Sequence, residues 1–436
     1  MIKNENIKRL YMDDKTKEDF EKVWYKNHWR KEEREVVFVK NAVITPAFTT
    51  TNRTIHEAAV LDENKKYVEG SGTAGYDVKD FIPPLPADDD IDIVDKDVIW
   101  GGRIICHYGH FLIQSTLRLY YYIKNKDKYP NIAFIINKDD KLPEYIIDFF
   151  DLLEIPRDNI IYIKSWTKFR TVICPPIASE QYDDYTDDFI LPFNKAAQNI
   201  EPGKYKKIFF SRKFWTDSES LGEETLEKVF NKNGFVSVYL ERLSLRQQIS
   251  IIKGAEIVAG INGTAFHNAL FASPNLKLIM LNRNEEFDFQ YVINEAAKTD
   301  WYVIRAYANP FPVMHARGPF IVGFTEFLKD FFKDHNLNSF NASFKVEKYI
   351  KDFVYQYCKI YGDNRFGGGL TFTNKDSINA FNAIKAIEIS SYSIIDRIIY
   401  YILYHITLGN LKRKFKRRHR AIKSFLQNKN KIKWNF

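Results

Sequence analysis

The apolar positions of the chain fall into short runs of strand length, separated by stretches whose apolar residues recur at helical spacing. In the second half, 207–211 (KIFFS), 236–240, 256–259, 276–281 and 301–304 read as buried strands. Between them, 223–231, the stretch opened by the S-x-x-Q capping box Ser244/Gln247, the run from Thr264 and 286–297 read as helices. Five strands alternating with four helices predict a doubly wound parallel sheet. An earlier block is similar: strand 101–106, helix 107–124, strand 132–136, helix 143–153, then strands 160–163 and 171–174.

The remaining segments are less regular. The chain opens with a charged, helical stretch to about residue 34, then a strand at 35–40. Residues 41–98 are rich in Asp and Pro and predict irregular structure, and 175–204 reads as a linker. Beyond 317 the pattern turns helical, over about 319–333, 345–359, 376–388 and 392–408. The expected division is a first α/β domain (1–190) and a second, Rossmann-like domain (205–317). A helical region (318–409) returns to the first domain, and a basic tail (410–436) follows.

Composition supports folded cores: 45% of the 436 residues are hydrophobic and 16% aromatic. Charge is unevenly placed. Eleven Lys or Arg and no acid lie between Lys412 and Lys433, which exceeds the net +8 of the whole chain. The body is therefore net acidic, which argues against a nucleic-acid-binding body. The tail suits an anionic membrane surface, with RNA as the rival. Ile394, Ile395, Ile398, Ile399, Ile402, Leu403 and Ile406 form a helical stripe ahead of it, readable as a core-facing helix or as part of that membrane contact. Cys106, Cys174 and Cys358 form neither a CxxC pair nor a zinc spacing, which fits a reduced compartment. The N-terminus shows no secretory h-region, and no run of about 18 uncharged apolar residues occurs. The expectation is a cytoplasmic protein, peripheral at the inner face of the membrane.

The stretch 256–271 (EIVAGINGTAFHNALF) carries the strongest chemical pattern. A strand runs into a loop punctuated by Gly260 and Gly263, and Thr264 opens a helix. Two readings fit, a plain tight turn or an anion site using the N–H groups of the helix start. Arg212, next to Ser211 at the end of another strand, offers a planar fork suited to phosphate. Asn262, Thr264 and Asn268 can bond an anion or ribose, and Glu241 can accept from ribose hydroxyls. His107 and His110 sit three apart at a helix start, where a general base would be suited near neutral pH. His267 reads as a core or capping histidine. Gly70, Gly72 and Gly75 satisfy G-x-G-x-x-G without the helix that fingerprint needs. Asp88, Asp89, Asp90 and Asp92 read as a solvated acidic loop or, alternatively, a hard-cation cluster.

Gly101-Gly102, HYGHFLIQSTLRLYYY from His107, FFSRK at 209–213 and LSLRQQISIIKGAEIVAGINGTAFHNALF at 243–271 together resemble glycosyltransferase family 61. The resemblance covers about 100–285 in pieces and includes Arg118 after the H-x-G-H-F-L motif. It departs from the family at Asn262 (usually His) and Gln114 (usually Glu). It also lacks the further Arg or Asn residues usual between Ser-Arg and the next helix, where this chain has only Lys213 and the acid Glu223. It implies an α/β fold of two facing Rossmann-like domains (GT-B type) with a helical C-terminal extension. The implied activity is inverting hexosyl or pentosyl transfer from a nucleoside diphosphate sugar, UDP-linked by expectation, to a glycan or lipid-linked acceptor in surface (capsule) polysaccharide biosynthesis. His110 is then the first choice as base and His107 the second, with Gln114 orienting a ring. Ser211, Arg212, Glu241, Gly260, Asn262, Gly263, Thr264 and Asn268 would hold the donor, with no protein-held metal and no cofactor beyond the nucleotide-sugar co-substrate. The alternatives are a non-catalytic assembly subunit of the same fold and a metal-dependent transferase using Asp88–Asp92.

Overall fold

A computed structural model describes residues 9–357 except 50–55, 73–81, 138–140, 181–182, 215–219, 285–288, 310–312, 314–317, 347, 351 and 354–355. The expected helices 376–388 and 392–408 and the basic tail lie outside the described residues.

The protein is α/β, built on two sheets. The strands foreseen in the second half form a parallel sheet in the order Leu10–Tyr11, Asp300–Arg305, Lys277–Asn282, Ile257–Ile261, Lys207–Phe210, Val236–Val238. Its central strands are buried on both faces, which is why they read as continuous apolar runs. Gly260 lies inside this sheet. A methyl group added there would stand 2.8 Å from the Phe210 carbonyl oxygen, so the glycine allows two strands to pack. The capping box forms as expected: Ser244 Oγ accepts from Gln247 N, and Gln247 Oε1 accepts from Ser244 N.

The other sheet has seven strands. Its parallel centre is Thr167–Cys174, Asp92–Arg103, Ile132–Ile135 and Ile160–Ile163, with Val37–Lys40 and Val43–Ile44 antiparallel on Thr167–Cys174. The strand Asp92–Arg103 begins well before the expected position 101. Its first half is largely exposed, and Asp95 and Asp97 pair with Arg170 across the sheet. Those acids make a half-solvated strand read as loop.

Three further expectations change. Leu10–Tyr11 extends the six-stranded sheet, so the first residues do not belong with 37–174. The stretch 175–204 is not a polar linker: its helix Leu191–Ala197 buries Phe193, Ala196 and Ala197. The Phe193 ring lies 5.8 Å from Phe149 and 5.3 Å from Phe271, joining elements of both sheets in one apolar cluster. The acid-rich run before it hid that apolar face. Finally, the region expected to be helix 319–333 starts with a strand, Phe320–Ile321. The helix Glu326–Asp334, capped by Thr325, then packs on the six-stranded sheet through Leu328, Phe331 and Phe332.

Candidate active site

Carboxyl ends of parallel strands collect loops, and here the loops from the two sheets meet. Residues 106–110 follow Asp92–Arg103. Ser211 and Arg212 follow Lys207–Phe210, Gly263 and Thr264 follow Ile257–Ile261, and Arg283 follows Lys277–Asn282. Together they line a cavity of about 720 Å³. The contact is close: a methyl group added to Gly109 would stand 2.7 Å from Thr264 Cγ2 and 3.1 Å from His267 Cδ2. Tyr108 bridges the same seam, its hydroxyl donating to Asn268 Oδ1 at 2.8 Å. Burial pushes the Tyr108 phenol well above its ordinary pKa, so it stays a donor.

One wall is cationic. Gly263 adopts φ 154°, and a methyl group there would meet Arg212 Nη1 at 3.3 Å and Arg283 Nη2 at 3.5 Å. Two guanidinium groups thus flank the peptide that opens the helix Thr264–Phe271, a 3₁₀ helix. Burial lowers the Arg212 pKa, opposed by Glu223 and Glu241. Arg212 N donates to Glu223 Oε1 at 2.6 Å. Glu223 is only 6% exposed. Burial pushes its carboxyl up to about 7, although the Arg212 N–H and charge pull the other way. Ser211 Oγ donates to Glu227 Oε2 at 3.0 Å and accepts from Lys213 N at 3.3 Å, which shapes the turn carrying Arg212. Arg283 is buried, with its guanidinium 4.7 Å from the Phe320 ring centre. The sequence reading missed Arg283, although it follows a strand end as Arg212 does.

The other wall carries His107, His110, Glu144, Tyr145 and Asp148. The expected helix 107–124 is interrupted. An α turn, Tyr108–His110, passes into a π turn, Phe111–Ser115, and the helix resumes at Leu119–Asn125. Ser115 Oγ accepts from Ile105 N at 2.9 Å and Thr116 Oγ1 donates to Leu112 O at 2.7 Å, pinning the irregular turn. Such π turns concentrate at functional sites. His110 Nδ1 lies 2.8 Å from Gln114 Oε1. An amide oxygen only accepts, so Nδ1 carries the proton and Nε2 the lone pair. His107 caps the turn: its Nδ1 accepts from His110 N over a long 3.5 Å, which favours the proton on its Nε2. The two rings are 4.8 Å apart, one disposed as acceptor and the other as donor.

His267 also lines the cavity, with Nδ1 3.0 Å from Gln290 Oε1. Burial, opposed by that bond, brings its pKa down to about 4, so it is neutral near pH 7.

Several expected donor-binding residues serve the scaffold instead. Gly260 is inside the sheet, as described above. Asn262 is 3% exposed, donates to Asn282 Oδ1 at 3.1 Å, and does not line the cavity. Asn268 touches the cavity, but its oxygen accepts from Tyr108 and its nitrogen donates to Ala265 O. Ser211, Arg212, Glu241, Gly263 and Thr264 do line it, with His107 and His110, and Gln114 acts one step behind His110. Arg118 is a clamp: Nε donates to Pro175 O, and Nη2 to Gly70 O and Gly72 O. Two glycines of the G-x-G-x-x-G decoy are therefore an anchoring loop, while Gly75 lies outside the described residues.

The acidic run 88–92 sits at the start of the 12-residue strand whose far end leads into the cavity. At about 3.3 Å per residue that is a separation of roughly 36 Å. Among the described residues, one group of acids is spaced to share a cation: Glu180, Asp183 and Asp184. They pair with Arg34, Lys26 and Arg30 respectively and do not line the cavity. No helix among the described residues is long and apolar enough to cross a membrane.

No curated protein matches the chain. The family model described as Glycosyltransferase 61 matches residues 108–279, which run from the Tyr108 side of the seam to the strand before Arg283. The cavity residues from Tyr108 to His267 fall inside that match, and this stretch of the chain is similar to glycosyltransferase family 61.

Proposed function

We propose that the cavity transfers a sugar from a nucleoside diphosphate sugar, with inversion, to an acceptor hydroxyl. The observation that carries this reading is the convergence of Arg212 and Arg283 on Gly263, in the same cavity that His110 lines. Departure of a nucleoside diphosphate leaves negative charge on phosphate oxygens. Two preorganised guanidinium groups beside a helix start stabilise that charge without reorganisation. His110 Nε2 takes the proton of the acceptor hydroxyl as its oxygen attacks the anomeric carbon. The bond from that carbon to the diphosphate oxygen breaks, and its electron pair leaves with the diphosphate. His107, with its proton on Nε2, would hold the acceptor oxygen. The six-stranded sheet is then the donor half of a GT-B-type arrangement and the seven-stranded sheet the acceptor half.

The donor is UDP-linked in this reading, the sugar a hexose or pentose, and the acceptor a glycan or lipid-linked glycan of a surface polysaccharide. The two arginines supply the countercharge a divalent cation would otherwise bring, so transfer is metal-independent. The basic tail would hold the enzyme at the inner face of an anionic membrane, within reach of a lipid-linked acceptor. The test is calorimetric titration with UDP, GDP and CMP sugars, followed by transfer assays with and without chelator. UDP binding that weakens on Arg212→Ala by the worth of a charged hydrogen bond, about 1.5–3 kcal/mol, is the expected result. Unchanged affinity in that variant, or activity abolished by chelator, overturns it.

A further inference from the structure

The histidine-bearing side of the cavity also carries acids, which the scheme above does not use. The helix Glu144–Leu152 follows the strand Ile132–Ile135 and buries Ile146, Phe149 and Phe150. Phe149 meets Phe111 edge to face at 5.4 Å, which seats the helix against the histidine-bearing turn. Glu144, Tyr145 and Asp148 line the cavity beside that buried face. Glu144 and Asp148 are one turn apart, so their Cβ atoms lie about 5–6 Å from each other on one side of the helix.

The charge pairing along this helix and its end is selective. Asp151 pairs with Arg157 at 2.9 Å and Glu154 with Lys195 at 3.0 Å. Glu144 and Asp148, the two acids of this helix that line the cavity, have no ion-pair partner among the described residues. On the same helix, the Tyr145 hydroxyl is buried without a hydrogen-bond partner. An unsatisfied buried hydroxyl costs free energy until something bonds to it. Two acceptor-only carboxylates, in a cavity already holding a candidate base, form a face for hydroxyl groups.

Resting on the reading of this cavity as a sugar-transfer site, we propose that Glu144 and Asp148 select the acceptor. They bind a sugar unit bearing hydroxyl or ammonium groups and reject one bearing a carboxylate or phosphate. Phosphate chemistry belongs to the Arg212/Arg283 wall, whereas an anionic acceptor placed against two carboxylates meets like charge. The cavity thus sorts its two substrates by sign.

The test uses the full chain, its preferred nucleotide sugar, and simple glycosides as acceptors: a neutral hexoside, a glucosaminide and a glucuronide. Wild type should use the first two and discriminate against the glucuronide by at least about tenfold in kcat/KM. The double variant Glu144→Gln/Asp148→Asn should raise KM for the neutral acceptor and bring the glucuronide toward parity, with donor affinity unchanged. If Glu144 served only the helix start, Glu144→Gln would move Tm and leave discrimination intact. Unchanged discrimination in the double variant, with donor still bound and turned over, overturns the proposal and spares the reading of the site. A chain that binds no nucleoside diphosphate sugar overturns both.

Discussion

The two walls of the cavity are built on opposite plans. The Arg212/Arg283 wall is supported from behind, with Arg283 buried and Arg212 half-buried: Glu223 under the Arg212 backbone, Glu227 on Ser211, and Phe320 under Arg283. The histidine wall is open. His107 and His110 are exposed, and His110 has one clear orienting partner in Gln114. The difference fits the two tasks. Charge stabilisation gains from fixed cations in a dry setting. Proton transfer needs a base that reaches its substrate and exchanges with solvent. A wall that binds should therefore fail in affinity, and a wall that reacts should fail in turnover.

The sharpest break is His110→Ala. It should lower turnover by a factor of about 10²–10⁴ with donor affinity intact. Gln114→Ala, which frees the ring without removing it, should lie between that variant and wild type. Near-normal turnover in His110→Ala would assign the proton transfer elsewhere, with His107 the next ring to test.

The opposing wall predicts a different signature. Arg283→Ala should weaken nucleoside diphosphate binding by about 1.5–3 kcal/mol, as for Arg212→Ala. Because both guanidinium groups flank Gly263, the double variant should depart from additivity. Arg212→Lys should recover little, since a point charge does not reproduce the planar fork. Calorimetric titration checks all three. Additive losses would mean that the two arginines serve separate ligands.

The seam between the walls gives the third break. Gly109→Ala puts a methyl group 2.7 Å from Thr264 Cγ2 and 3.1 Å from His267 Cδ2, so one or both side chains must shift. The expected cost is about 1–3 kcal/mol of stability, with turnover reduced because His110 is the next residue. A variant with wild-type Tm and full activity would show that the walls separate easily.

These walls were unequally legible in the sequence. The parallel sheet behind the arginines was readable because buried strands are continuous apolar runs, and its strand ends located Arg212 and Gly263. What a strand end does not say is which way a side chain turns. Asn262 turns inward to Asn282 and Asn268 is taken by Tyr108, while Arg283 turns into the cavity. The H-x-G-H turn was readable as a motif, but not its π geometry, which depends on Ser115 and Thr116 bonding their own backbone. Leu191–Ala197 and the first half of Asp92–Arg103 were missed because neighbouring acids outweighed their pattern.

The smallest expected effect lies in the pH dependence of stability, where two buried groups on the 207–271 side of the cavity oppose each other. The Glu223 carboxyl is raised to about 7 in the folded chain from 4.5. The folded state then binds the proton more tightly, so the stability from Glu223 is full below pH 4.5 and is lost as pH rises through 7. His267 is lowered to about 4 from 6.5. Its neutral form is favoured by folding, so its contribution is full above pH 6.5 and is lost as pH falls through 4. Each contribution reaches at most about 3 kcal/mol, and between pH 4.5 and 6.5 the slopes have opposite sign. Wild type should therefore show a shallow profile in that window. Glu223→Gln removes the falling contribution, leaving stability that rises with pH, and His267→Gln leaves stability that falls. Chemical denaturation at pH 4.5, 5.5 and 6.5 reads all three slopes. Parallel profiles for the two variants would mean that neither group titrates with folding, and that Arg212 is held without the buried carboxyl beneath it changing charge.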